Sequence, residues 1–329
     1  TTLSLAGDPS DGPDALVLRA SVDTRVEDGR VVAAFTLGEG DEATFAMAWH
    51  PAHEAPPKPP EPRSALDDTI AYWEDWCARC AHEGPYAEAV RRSLLTLKAL
   101  TYAPTGGILA APTTSLPEAL GGVRNWDYRY CWLRDATFTL DALLEAGYAE
   151  EARAWRDWLV RAVAGDPAQI QVLYGPAGER RLTEIELPWL PGYEGSRPVR
   201  IGNAAESQFQ LDVVGELMDS FDHARRAGLE PDASAWSLQK TLLDFLESRW
   251  DDPDHGIWEV RGPKRHFTHS KVLAWTALDR AVLAIDRYGL DGPWERWVRP
   301  RDEIHADVCR KAFHPGKRAF TQRYGSEDL

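Results

Sequence analysis

The chain of 329 residues is poor in positive charge, in cysteine and in long apolar runs. Lys and Arg number 37 against 52 Asp and Glu, a formal net charge of −15. A surface this acidic repels a phosphate backbone, so no nucleic-acid partner is expected. No stretch approaches the ~18 uncharged apolar residues of a membrane span, so no membrane partner is expected either. The first residues, TTLSLAGDPS, lack an initiator Met and lack the basic and apolar regions of a signal peptide. The four cysteines are Cys77, Cys80, Cys131 and Cys309. Cys77 and Cys80 make one C-x-x-C without the second pair that a zinc site needs. Their context, WEDWCARCAHE, reads as helix and not as a redox turn, and four scattered thiols fit a reducing, cytoplasmic compartment. The sequence offers no cluster of metal-ligand type, so neither metal nor other cofactor is expected.

Tryptophan, by contrast, is abundant: there are 14. A content of 43% hydrophobic and 27% charged residues is globular and not disordered. Residues 1–50 alternate apolar and polar positions in ALVLRASVDTRV and GRVVAAFTLGEGDEATFAMAW, the signature of a β-meander of about four strands. The Pro-rich HPAHEAPPKPPEPR (50–63) reads as a stiff linker. Ser64 and Asp67 then suggest a capped helix over SALDDTIAYWEDWCARCA. Apolar spacing predicts further helices over 85–103, 134–147, 150–164, 203–227, 234–249, 268–288 and 292–312. Long helices joined by long aromatic loops suggest a helical toroid with its site among the loops at one end.

Three loops carry candidate chemistry. In GGVRNWDYRYCWLRDA (121–136), aromatic rings offer faces for sugar C–H groups, and Arg and Asp offer paired hydrogen bonds to hydroxyls. The same residues read equally well as a structural loop whose ion pairs hold the next helix. In ELPWLPGYEGSRPVRIGNAA (186–205), Arg197 and Arg200 are candidate clamps, whereas Asn203 is better read as a cap. In GIWEVRG (256–262), Glu259 stands beside Trp258 and near Arg261. An acid against an indole is one arrangement that favours its protonated form, although on spacing alone a surface glutamate is the commoner explanation.

Taken in this order, with APTTSLPEALGG (111–122) and FTHSKVLAWTALDRA (267–281), these segments resemble glycoside hydrolase family 15. The likeness is to its bacterial glucoamylase- and trehalase-like branch, over nearly all of 65–329. It implies a mainly α fold, an (α/α)6 toroid over 85–329, preceded by the end of an antiparallel β-sandwich domain (1–50) and a linker with its helix (51–84). It implies an inverting hydrolase acting on an α-glucoside or oligosaccharide of trehalose, malto- or isomaltose type. Glu259 becomes the general acid in a Trp258-Glu259 motif. Arg134 and Asp135 become ligands of the non-reducing-end glucose. Trp126, Arg197, Arg200 and Arg261 border the pocket. Fungal members carry a second Glu after the acid; Val260 stands there in this chain, so aglycone contacts are expected to differ.

The family's general base lies in a later Glu-containing loop, and no segment here matches it; the context of Glu327 does not. About seven barrel helices are predicted where twelve are needed. The toroid is therefore expected to be truncated, the base to lie beyond residue 329, and the β-domain to be incomplete. A non-catalytic sugar-binding protein stays open as a rival, as does a phosphorylase on the same toroid. Self-association into a homo-oligomer is also left open.

Overall fold

The computed structural model describes residues 2–5 and 13–329. The chain divides into two compact units, Thr1–Ala78 and Arg79–Leu329.

In the first unit, strands β1 (Thr2–Leu5), β2 (Asp14–Ala20) and β5 (Phe45–Pro51) form an antiparallel sheet in the order β1-β2-β5. The register of β2 on β5 runs from Asp14↔Pro51 to Ala20↔Phe45. Period-two alternation buries Ala15 and Val17 on β2 and leaves Met47 and Trp49 of β5 exposed, while Ala20 is buried out of that phase. Strands β3 (Arg25–Glu27) and β4 (Arg30–Val32) make a separate hairpin. Its tip, Asp28-Gly29, has φ of 48° and 71°, as a tight two-residue hairpin turn requires. Helix α1 (Pro62–Ala78) begins two residues before the expected Ser64. Proline fits the first helical position, and Glu61 accepts from the Ser64 N–H at 2.9 Å.

The second unit is mainly helical. Its helices are α2 (Ala87–Ala99), α3 (Leu133–Glu145), α4 (Ala149–Ala162), α5 (Asp212–Arg226), α6 (Ala233–Glu247), α7 (Thr268–Tyr288) and α8 (Trp294–Lys311). Helix α5 packs between α3 and α7; α4 and α6 pack on one another, and α8 packs on α7. Eleven of the fifteen α5 residues are buried, so this helix is enclosed nearly all round. Close approach to α7 depends on Gly215, because a Cβ there would meet the Leu273 carbonyl oxygen at 2.1 Å. Trp155, Trp158 and Trp297 are among the large side chains buried in the core. Much of the tryptophan content is therefore packing.

One expected helix differs. The periodicity over 203–227 continues through a stretch that is not helical. Asn203 caps a short 3-10 turn by accepting from the Ala205 N–H at 3.0 Å, and α5 proper begins at Asp212. Between them, residues 208–211 lie beside 254–255. His255 N–H donates to the Phe209 carbonyl at 3.0 Å, and Leu211 N–H donates to Asp254 Oδ2 at 3.0 Å. Tertiary pairing overrides the helical pattern there. Short strand pairs fasten the remaining loops: β6 (Thr101–Tyr102) with β7 (Gly107–Ile108), β8 (Cys131–Trp132) with β9 (Leu173–Tyr174), β10 (Ile185–Glu186) with β11 (Arg200–Ile201), and β12 (Phe313–His314) with β13 (Ala319–Phe320). No helix of the described residues is long and apolar enough to cross a membrane.

Candidate active site

The loops that enter α3, α5 and α7 meet around a cavity of about 740 Å³. Its wall begins with the loop before α3, whose shape depends on Asp127. This carboxylate is fully buried and accepts from Arg129 Nε and Nη2 at 2.9 and 2.8 Å, from Tyr130 Oη at 3.1 Å and from Gly202 N–H at 3.1 Å. Burial alone would raise its pKa, yet the Arg129 hydrogen bonds hold it below the ordinary carboxylate value. Asn203 donates to the Asp127 carbonyl at 3.3 Å and joins the loop to the 200–203 segment.

A second set of charges closes on itself around Trp126. The buried Arg200 donates to the Val123 carbonyl at 3.0 Å and to Glu186 at 3.2 Å, and its Nε lies 3.5 Å from Glu184. Arg261 donates twice to Glu184, at 3.1 and 2.6 Å. Both guanidinium carbons stand over the Trp126 ring, at 4.7 Å for Arg200 and 4.3 Å for Arg261. The Trp126 indole N–H donates to Glu118 at 3.2 Å.

The third element is the turn between α6 and α7. Gly256 has φ of +68°, and a Cβ there would fall 2.6 Å from the Phe267 ring. Glu259 also lies in the left-handed region, at φ +48°. The turn brings the Glu259 carboxyl to α3. Its Oε1 accepts from the Trp132 indole N–H at 3.1 Å and from Arg134 Nη1 at 3.1 Å. Arg134 Nη1 also donates to the Ile257 carbonyl at 2.7 Å, and Arg134 Nη2 lies 3.1 Å from Asp135 Oδ2. Burial opposes the Arg134 charge, but Asp135, Glu259 and Glu216 together hold its pKa above the ordinary value.

Of the eight residues singled out from the sequence, the cavity lining includes Trp126, Arg134, Trp258, Glu259 and Arg261. Trp258 is 75% exposed at the rim. Asp135 stands one contact back, on Arg134. Arg200 lies behind Trp126, and Arg197 is exposed outside the lining.

The structure adds residues that the sequence reading did not single out. Glu118, Arg124, Tyr128 and Gln208 also line the cavity, as does Asn203, which the sequence offered only as a cap. Asp212 and Glu216, four residues apart on α5, are 0% and 5% exposed. None of their four carboxylate oxygens has a hydrogen-bond partner among the described residues; His269 Nδ1 approaches Asp212 Oδ2 at 3.8 Å. Burial raises the Asp212 carboxyl, with the Asp254 charge adding to it, and burial raises Glu216, with the Asp212 charge adding. An acidic i, i+4 pair inside the otherwise apolar LDVVGELM was the available signal. Among the described residues no group of three or more His, Cys, Asp or Glu could hold a metal ion. All four cysteines are free, and burial pushes the Cys131 thiol up to about 12.

The trehalase of Mycolicibacterium smegmatis is 41% identical over 319 residues, 95% of this chain and 47% of that protein. The trehalase of Mycobacterium tuberculosis is 41% identical over 325 residues, 96% of this chain and 47% of that protein. The chain thus spans about half the length of these curated relatives. A solved wild-type glycosidase shares the fold at a TM-score of 0.55 and 19% identity, over 77% of this chain and 62% of that one. The model of glycosyl hydrolases family 15 matches residues 84–329, a span that takes in every loop around the Glu259 cavity. With that match and those relatives, the chain belongs to glycosyl hydrolase family 15.

Proposed function

We propose that the chain supplies the glucose-binding and proton-donating side of an inverting, exo-acting α-glucoside hydrolase. The helices of 85–329 are read as part of an (α/α)6 toroid, and 1–50 as the closing strands of a β-sandwich. Trehalose is the first substrate to try, because the two relatives described above bear the name trehalase. One observation carries the reading: the Glu259 carboxyl sits in a large concave cavity, held by an indole N–H and a guanidinium.

Both donors use Oε1. The transferable proton therefore belongs on Oε2, from where Glu259 protonates the glycosidic oxygen as the bond to the anomeric carbon breaks. Arg134 fixes the acid, and Asp135 with Arg134 binds glucose hydroxyls. Trp126, with the guanidinium of Arg261 on its ring, forms the side wall. Arg200 holds the loop that borders the site, and Arg197 stands exposed on that loop. Inversion requires a second carboxylate about 6.5–9.5 Å from the first, activating water on the opposite sugar face. No segment of this chain matches the family's base motif, so none of its residues is assigned that role.

Hydrolysis of trehalose, maltose and isomaltose followed by anomer-resolved NMR tests the reading. In company with the general base, the protein is expected to release β-glucose from the attacked end of each substrate, with an equal amount of α-glucose from the other half of trehalose, and Glu259→Gln should lower turnover by about 10²–10⁴-fold with sugar binding retained. Release of α-glucose alone from trehalose would overturn inversion, and full turnover by Glu259→Gln would remove Glu259 from the acid role.

A further inference from the structure

The turn that carries Glu259 is fastened at its base and latched at its tip by different means. At the base, segment 208–211 pairs with 254–255. His255 N–H donates to the Phe209 carbonyl at 3.0 Å, Phe209 N–H to His255 Nδ1 at 3.1 Å and Leu211 N–H to Asp254 Oδ2 at 3.0 Å. At the tip, Glu259 holds a φ of +48°, a conformation that a side-chain-bearing residue keeps only when its surroundings impose it. Within the turn, Glu259 N–H donates to the Gly256 carbonyl at 3.2 Å. Arg134 holds the Ile257 carbonyl, two residues back.

The Glu259 carbonyl itself is held by Gln208, whose Nε2 donates to it at 3.1 Å. The buried Gln210 donates to Gln208 Oε1 at 3.5 Å, which turns the Gln208 amide so that its NH2 end meets Glu259. Gln208 thus grips the backbone of the one residue whose conformation aims the carboxyl at Trp132 and Arg134.

We propose that Gln208 is a positioning residue for Glu259, latching its carbonyl so that the left-handed backbone keeps the carboxyl in line with the cavity. This rests on reading Glu259 as the general acid. Rotating one backbone dihedral out of the left-handed well carries a glutamate carboxyl far from its donors, and a misplacement of about 1 Å already costs on the order of 10²-fold in rate. The latch therefore acts on the chemical step and only weakly on sugar affinity.

The test uses Gln208→Leu, which removes the donor, and Gln208→Glu, which keeps the shape but cannot donate once ionised. Both variants should lose about 10- to 100-fold in kcat on the substrate found above, with KM changed by less than about twofold. In a second arm, the Cα and Cβ carbon shifts of Glu259 are followed by NMR of glutamate-labelled protein, assigned by their disappearance in Glu259→Gln. These shifts should leave the left-handed range in both Gln208 variants. If this chain, joined to the general base, turns over no α-glucoside, the functional reading falls and the NMR arm still decides the latch. Unmoved Glu259 shifts would overturn the proposal, whatever happens to kcat. So would a raised KM at unchanged kcat, which would make Gln208 a sugar contact.

Discussion

Two groups of charges border the same cavity and are handled in opposite ways. Around Trp126, the cations and anions satisfy one another: Arg200 with Glu184 and Glu186, Arg261 with Glu184, and Arg129 with Asp127. Around Arg134, one guanidinium stands among Asp135, Glu259, Asp212 and Glu216, and the last two carboxyls lack hydrogen-bond donors among the described residues. The first group is a frame, in which burial is offset by pairing. The second is left short of positive charge, and a carboxyl short of donors is one that keeps a proton. The lesson concerns where to look for chemistry: in a site full of arginines, the reactive end is the end where the charges do not cancel.

The comparison breaks most readily at Arg200. If it belongs to the frame, Arg200→Met should cost about 2–3 kcal/mol of stability, because the Val123 carbonyl and Glu186 lose a donor and Glu184 loses one of its two guanidinium neighbours. Thermal denaturation would show it as a lower Tm. An unchanged Tm with a large loss of sugar binding would instead move Arg200 to the substrate side.

A smaller effect of opposite sign is expected at Glu216. Its folded pKa is raised, so the folded protein holds a proton that the unfolded chain releases. The penalty is absent below the unfolded value of about 4.3 and grows as pH rises from there through the raised folded value. Glu216→Gln should therefore leave stability unchanged near pH 4 and increase it by about 1–3 kcal/mol at pH 8. Tm measured across that range checks the sign, and a lower Tm at pH 8 would place an unrecognised donor on Glu216.

The smallest effect belongs to Arg197, exposed outside the cavity. Arg197→Ala should change stability by less than about 0.5 kcal/mol. Urea titration measures this, and sugar affinity in the same variant shows whether the exposed guanidinium reaches the ligand.

Much of this arrangement was legible in the sequence, for local reasons. The 3.6-residue repeat of α7 places its ends at Thr268 and Tyr288, as expected, because the helix is long and ends at a left-handed Gly289. Glu259 was legible as part of a motif in a recognisable order of loops. The start of α5 was not, since Phe209 and Leu211 keep a helical spacing while pairing with a segment some 45 residues away. Nor was the cover over Trp126, because residues 126, 200 and 261 meet only in three dimensions. Asp212 and Glu216 were hidden for another reason: two acids on a helix look like a solvated face until burial shows otherwise.

The hydrogen bond from Trp132 to Glu259 has an optical consequence. Trp132 is 3% exposed, so bulk water contributes little to its emission, and its N–H points at the carboxyl whose charge matters. Excited indole carries a large dipole and shifts colour in a local electric field. Subtracting the spectrum of a Trp132→Phe protein isolates this one ring from the other thirteen tryptophans. The emission of Trp132 should therefore follow the charge of the carboxyl proposed as the acid, even in the absence of sugar.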